Sequence, residues 1–297
     1  MPDYATVTLT SPSMTATFVP SAGMIGTSFA EGDLEFLGQR RGLEAYVSDG
    51  KTMGIPILYP WANRLSAPDY TVDGRVVALT AGEHGVRTDA NGAPMHGVLA
   101  ANPDWVVTAQ ADDGVTAVLA YDSPELLASF PFPHKLTQTV TLRDRTLTVE
   151  TTVAPTTEIA VPLCYGYHPY LRIPGVPRDD WSLSTPTMRH LLVDERGLPT
   201  GERESRPSRT ESLQGIEYDD GFDEVAAGSV FALNGGDRRI EVTFDTGYPC
   251  AQLFAPASDD LIGIEPMTAP TDALRRGGYR VATRDAPDTA RFSITVY

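Results

Sequence analysis

Apolar and polar residues alternate along much of this chain with a period of two, and stretches with helical period are scarce. Residues 6–10 (T-V-T-L-T) and 14–19 (M-T-A-T-F-V) alternate in this way. The clearest case is K-L-T-Q-T-V-T-L-R-D-R-T-L-T-V-E-T-T-V, residues 135–153, where two β-branched runs flank Arg143-Asp144-Arg145. That pattern predicts a hairpin. Residues 104–122 predict a second one, turning at Asp112-Asp113-Gly114, and residues 238–247 and 290–297 predict further strands. The final run is expected to be tied into a sheet. Residues 194–222 are polar and read as loop-like, with a plausible strand end inside them. Turn-forming Gly (26 residues) and Pro (24 residues) recur along the whole length, so strands should be short and numerous. Many short strands with frequent turns indicate an all-β fold, a sandwich or a barrel. Strand signals are evenly spread, with no linker and no internal repeat, which predicts one domain over residues 1–297.

Composition narrows the partners more than the fold. With 297 residues and 41% apolar content the chain can bury a sizeable core without staples. Its net charge of −16 repels phosphate backbones and anionic lipid, so neither nucleic acid nor a membrane is an expected partner. The two cysteines, Cys164 and Cys250, have neither zinc-ligand spacing nor a disulfide framework, which suits a reducing compartment. The opening residues M-P-D-Y-A-T-V-T-L-T lack a basic segment followed by an apolar run. No window approaches the roughly 20 apolar residues of a membrane helix. A soluble, cytoplasmic protein is the expectation.

Five stretches carry candidate chemistry. In L-Y-P-W-A-N-R-L (58–65), Trp61 offers an apolar face for a sugar ring, and Asn63 and Arg64 offer donors for its oxygens. The same stretch also reads as a plain loop whose Arg pairs with a surface carboxylate. In G-A-P-M-H-G-V-L-A (92–100), His96 lies between Pro94 and Gly97 and so belongs to a turn, where functional histidines are commoner than in a core. In Y-G-Y-H-P-Y-L-R-I-P-G (165–175), Pro169 biases His168 toward extended backbone and so fixes the direction of an imidazole that titrates near pH ~6.5. A satisfied histidine at a strand end is the other reading. In L-I-G-I-E-P-M-T-A-P-T-D-A-L (261–274), Glu265 follows an apolar run and precedes a proline, and a strand there would bury the carboxylate or set it at the strand's mouth. Burial raises a carboxyl pKa toward the range of a general acid or base. In Y-D-D-G-F-D-E-V (218–225), most acidic groups suit a solvated loop, with Asp223 the one most expected to point inward. His84, His134 and His190 lack ligand-like spacing and read as structural or surface residues. There is no G-x-S-x-G, H-E-x-x-H, Walker loop or dinucleotide fingerprint.

In order along the chain, N-R-L, a Y-x-x-D-G hairpin (Tyr70 to Gly74), M-H-G, Y-H-P-Y, L-P-T-G, F-D and I-E-P resemble the aldose 1-epimerase (galactose mutarotase) family. H-P-Y and the late glutamate are the most specific parts. The resemblance implies a large antiparallel β-sandwich, the galactose mutarotase-like supersandwich, with a sugar site on its concave face. It implies interconversion of the α and β anomers of a free aldose, a hexose such as glucose or galactose, without a cofactor or a metal. Carried over by motif, His168 is the general acid and Glu265 the general base. Arg64, His96 and Asp223 bind substrate, with Asn63 beside Arg64. A monomer or weak dimer is expected. Two departures stand out: Tyr167 occupies a position where many members have Asn, and I-P-I-L-Y-P-W (55–61) resembles the hexose-6-phosphate branch. Arg40, Arg41 and Arg87 would serve a phosphate if they reached the cleft. The alternatives are therefore a hexose-6-phosphate 1-epimerase or a non-catalytic sugar-binding module. A glycoside hydrolase would need two carboxyl groups and would leave His168 without a role.

Overall fold

A computed structural model describes residues 4–72 and 74–297. The predicted hairpins form. His134–Arg143 pairs antiparallel with Thr146–Pro155 along its whole length, with Asp144 and Arg145 at the turn. Asp144 takes φ +50°, a left-handed conformation that Asp tolerates because its short side chain bonds locally. Val106–Ala111 and Gly114–Tyr121 pair around Asp112-Asp113. Asp69–Val72 pairs with Arg75–Ala78, as the Tyr70-to-Gly74 motif requires. The turn residue Asp73, and residues 1–3 at the head of the N-terminal reading, lie outside the described residues.

Two large antiparallel sheets dominate. The first has nine strands in the order Arg209–Ser212, Ser182–Thr185, Ser229–Gly235, Arg238–Thr246, Asp288–Val296, Thr146–Pro155, His134–Arg143, Gly114–Tyr121, Val106–Ala111. The last strand of the chain thus lies mid-sheet. The second has eight: Pro199–Arg206, Met188–Val193, Tyr218–Asp223, Cys250–Ala255, Ile262–Met267, Gly166–Tyr167 and Ile57–Leu58 in order, with Tyr170–Leu171 also on Ile262–Met267. The sheets meet through side chains such as Tyr167, whose ring packs 5.1 Å from Phe292 and whose hydroxyl bonds Thr151 Oγ1 at 2.6 Å. Among the described residues the α-helices are short: Gly42–Asp49, Pro124–Ser129 and Ala273–Arg276. No helix there is long and apolar enough to cross a membrane. Cys164 and Cys250 are both buried and free.

The polar stretch 194–222 is not a loop. It contains the strands Pro199–Arg206, Arg209–Ser212 and the start of Tyr218–Asp223. The first two are sheet edges, and Pro199–Arg206 is exposed along almost all its length. An edge exposed on both faces needs no apolar alternation, and charged side chains there discourage sheet-to-sheet aggregation.

The strand Ile262–Met267 is buried on both faces. Ile262 and Ile264 belong to the main core. Met267, on the opposite face, joins a separate small cluster with Leu58, Ala62 and Cys250. Alternation therefore sends Gly263, Glu265 and Met267 away from the core, to the face where the candidate residues gather.

Candidate functional site

Glu265 and His168 come together through register. Gly166 lies opposite Met267, and Tyr170 lies opposite Gly263. The same register sets His168 opposite Glu265, although the ladder is interrupted between those two pairs. His168 N instead donates to Pro56 O (3.1 Å), and Ile264 N donates to Pro169 O (3.3 Å). His168 Nε2 stands 3.1 Å from Glu265 Oε1, with the residues 5% and 1% exposed. The imidazole is stacked on Tyr170 (centroids 4.1 Å apart, 22° between planes) and meets the Phe254 ring at 5.6 Å. Tyr170 is fixed in turn by its hydroxyl, which bonds Thr52 Oγ1 at 2.6 Å and accepts from Arg40 Nη1 at 3.3 Å. Gly263 leaves the room: a Cβ there would lie 2.9 Å from His168 Cε1 and 3.3 Å from Glu265 Oε1.

Two loop segments fold over this pair and are zipped to each other. Val98 N donates to Tyr59 O (2.7 Å), His96 N to Asn63 O (2.9 Å) and Leu65 N to Pro94 O (2.9 Å). Asn63 and His96 both have positive φ, +52° and +61°. His96 thus sits on a turn, as predicted, and its ring lies 5.9 Å from that of His168, nearly perpendicular to it. Asn63 Nδ2 donates to Gln252 Oε1 (3.3 Å), and Gln252 lies directly opposite Glu265 in the sheet. Gln252 Nε2 donates to Asp219 Oδ1 (2.9 Å). Arg64 Nε donates to Asp89 Oδ2 (3.0 Å), and its Nη2 is 3.8 Å from Asp219 Oδ2. Asp223 shares this sheet face but stands two strands over from Glu265, 7% exposed and paired with Arg203 Nη1 at 2.9 Å. Five of the six predicted residues therefore form one cluster, and Asp223 flanks it.

Several polar atoms here are enclosed without a protein partner: His96 Nδ1, His168 Nδ1, Glu265 Oε2 and Asp223 Oδ1. Leaving such an atom unpaired costs about 1–3 kcal/mol each, a cost that a docked polar ligand would relieve. Burial pushes the Glu265 carboxyl well above the usual carboxylate range; the Asp219 charge adds to this and Arg64 opposes it. Burial likewise pushes His168 well below the ordinary imidazole value, and His96 and Arg40 add to it. The short contact would favour an ion pair, but desolvating two charges costs more than their attraction returns. The resting pair is therefore neutral, with the shared proton on the carboxyl. His96 is lowered to about 3, again chiefly by burial. Asp223 is raised by burial, against the pull of Arg203.

One sequence-based role changes, and the departure at Tyr167 gains a structural reading. Trp61 is 1% exposed, within the core cluster, and offers no face to a ligand. Tyr165 and Tyr167 are fully buried, and Tyr167 points between the sheets toward Phe292, because it alternates with Gly166 and His168. The substitution at Tyr167 therefore concerns core packing, and Tyr170 is the tyrosine that touches the imidazole. The sequence alone does not single out Gln252, Asp219, Phe254 or Gly263. Only knowledge that the Tyr218–Asp223, Cys250–Ala255 and Ile262–Met267 strands are neighbours would have found them. His134 is buried in the core, His84 is exposed, and His190 bonds Asp220 at 3.0 Å.

A cavity of about 340 Å³ opens beside the cluster, with His96, Asp89 and Leu58 in its wall. The size falls within the usual range of small-molecule pockets.

Known proteins share this architecture. A galactose mutarotase-like protein from Clostridium acetobutylicum superposes with a TM-score of 0.84 at 15% identity, covering 99% of this chain and 96% of its own. A galactose mutarotase related enzyme from Lactobacillus acidophilus gives 0.82 at 18% identity, covering 99% and 97%. In sequence, the uncharacterized protein YihR of Escherichia coli (strain K12) is 24% identical over 231 residues, 74% of this chain and 71% of that protein. The family pattern described as aldose 1-epimerase matches residues 5–292, so the chain belongs to the aldose 1-epimerase family.

Proposed function

We propose that this protein is a mutarotase that interconverts the α and β anomers of an aldose by opening and reclosing the ring. The observation that carries this reading is the buried His168–Glu265 contact, 3.1 Å long, with a free polar atom on each partner. Ring opening requires a proton delivered to the ring oxygen and another removed from the C1 hydroxyl. As the C1–O5 bond breaks, the C1 oxygen becomes a carbonyl. A protonated His168 supplies the first proton and an ionised Glu265 takes the second. Rotation about C1–C2 and the reverse transfers then close the ring on the other face.

The pair holds one mobile proton throughout. Its resting form, neutral imidazole and neutral carboxyl, is the form it has once the ring is open. Burial therefore favours the protonation state of the open-chain stage. Binding of the cyclic sugar must draw the proton from Glu265 to His168, and hydroxyl contacts to both groups offset that cost. Arg64, Asn63 and His96 offer hydrogen bonds to sugar oxygens from one side, and Asp223 accepts from hydroxyls on the other. Each general acid or base step typically contributes ~10²–10⁴-fold.

Polarimetry of freshly dissolved α-glucose and α-galactose tests the reading. The protein should speed the approach to the equilibrium rotation. His168→Ala and Glu265→Gln should each lose at least about 10²-fold in kcat with unchanged circular dichroism. Sugar binding by calorimetry without any change in rotation would instead mark a binding module.

A further inference from the structure

We infer that the cavity beside His96 is an anion subsite, and that the preferred substrate is an aldose carrying a phosphate ester. The inference rests on the epimerase reading of the neighbouring pair and names its substrate class. The chain holds 39 Asp and Glu against 23 Lys and Arg, so positive charge is the scarcer sign in it. Yet Arg40, Arg41, Lys51 and Arg87 all line this one cavity. Among the described residues Arg41, Lys51 and Arg87 make no ion pair, while Arg40 pairs with Asp259 at 3.2 Å. Two acids face them. Asp89 is already taken by Arg64 and by the backbone N–H groups of Asn91 and Ala93, which leaves Asp49 alone against three free cations.

The seating of Arg87 is built into the backbone. Gly50, with φ +68°, closes the helix Gly42–Asp49, and a Cβ on it would overlap the Arg87 guanidinium. Arg87 Nη1 is enclosed without any hydrogen-bond partner, and burial lowers the guanidinium pKa. The C-terminal carbonyls of a helix attract cations, which accounts for one of the three but leaves the others unexplained. The subsite is also contiguous with the proposed chemistry. Met95 N donates to Arg87 O (2.9 Å), which ties Arg87 to the residue before His96, and Thr52 and Arg40 reach His168 through Tyr170. An aldose whose ring lies against the His168–Glu265 pair would present a remote substituent past His96 to these cations. Three donors of positive charge suit a dianionic phosphate better than a monoanionic carboxylate.

Anomer exchange measured by NMR on glucose, glucose 6-phosphate and glucuronate tests this, with each spontaneous rate subtracted. The kcat/KM for glucose 6-phosphate should exceed that for glucose at least about tenfold, and inorganic phosphate should compete. In the double variant Arg41→Ala/Lys51→Ala, and separately in Arg87→Gln, the phosphate-to-free-sugar ratio should fall at least about tenfold. Equal kcat/KM for glucose and its phosphate, or a ratio untouched by both variants, overturns the subsite, while acceleration on glucose still upholds the epimerase reading. A preference for glucuronate overturns the phosphate assignment. If no sugar is anomerised faster, calorimetry decides: glucose 6-phosphate binding that weakens in the variants keeps the subsite and removes the epimerase reading, and no binding removes both.

Discussion

His168 and Glu265 each carry a pKa displaced toward the neutral form, and that displacement predicts an unusual pH profile. A pair with one mobile proton is inactivated by taking up a second or by losing the first. The second proton must go to His168, held well below 6.5, and the first is lost from Glu265, held well above 4.5. Enzymic kcat/KM, corrected for spontaneous mutarotation, should therefore stay level as pH falls through 6.5. An acid limb centred near 6.5 would mean that His168 titrates as a free imidazole and would sink the neutral-pair account. Much of this pair was legible in sequence. Pro169 marked the histidine, and the apolar run before Glu265 marked a buried carboxyl. Their contact was not legible, because it depends on a register between segments about a hundred residues apart. The same gap hid Gln252, which adds nothing as a residue type and gains its place only by lying opposite Glu265.

The two loop segments at 58–65 and 92–100 illustrate the next level of legibility. Each was a weak candidate alone, and neither has the alternation that betrays a strand. The structure joins them by backbone hydrogen bonds, so Asn63, Arg64 and His96 are positioned as a unit. Gly97 is the residue that permits it: φ is +69°, and a Cβ would overlap the Tyr59 carbonyl. Ala at a left-handed position costs about 1–2 kcal/mol before any overlap is counted. Gly97→Ala should destabilise the fold by at least about 2 kcal/mol in urea titrations. It should also raise KM, because the turn carrying His96 must move. A variant within about 0.5 kcal/mol of the parent would show that the two segments separate without consequence. The edge strand Pro199–Arg206 teaches the complementary lesson. Its polarity reads as a loop, yet it supplies Arg203, the cation that faces Asp223.

One of the ties that hold the loops against the rest of the molecule is a buried histidine, and it gives the fold a predictable response to acid. His134 begins an interior strand of the nine-stranded sheet, and it is stacked on Tyr121 with ring centroids 4.6 Å apart. Its Nδ1–H donates to Phe132 O at 2.5 Å, and its Nε2 accepts from the Tyr59 hydroxyl at 2.6 Å. Tyr59 also accepts from Val98 through its carbonyl, so the imidazole anchors the segment next to His96. Both ring nitrogens are committed to the neutral tautomer. Burial lowers the pKa to about 4, and the hydrogen bond to Phe132 opposes it. In the unfolded chain the imidazole titrates near ~6.5. Between those values the unfolded state binds a proton that the folded state refuses, so stability rises with pH there and is lost as pH falls below 6.5. By pH 5 the loss from His134 is about 2 kcal/mol. His96, lowered to about 3, acts in the same direction, and Glu265, raised, acts in the opposite one. Only a difference between variants isolates His134. His134→Gln should be less stable than the parent at pH 7, because it loses the stack on Tyr121. Urea denaturation at pH 7, 6 and 5 should then show the gap closing by about 2 kcal/mol, since Gln binds no proton in either state. A gap that stays constant across that range would mean that His134 is protonated inside the fold and that its two hydrogen bonds have been assigned in the wrong tautomer.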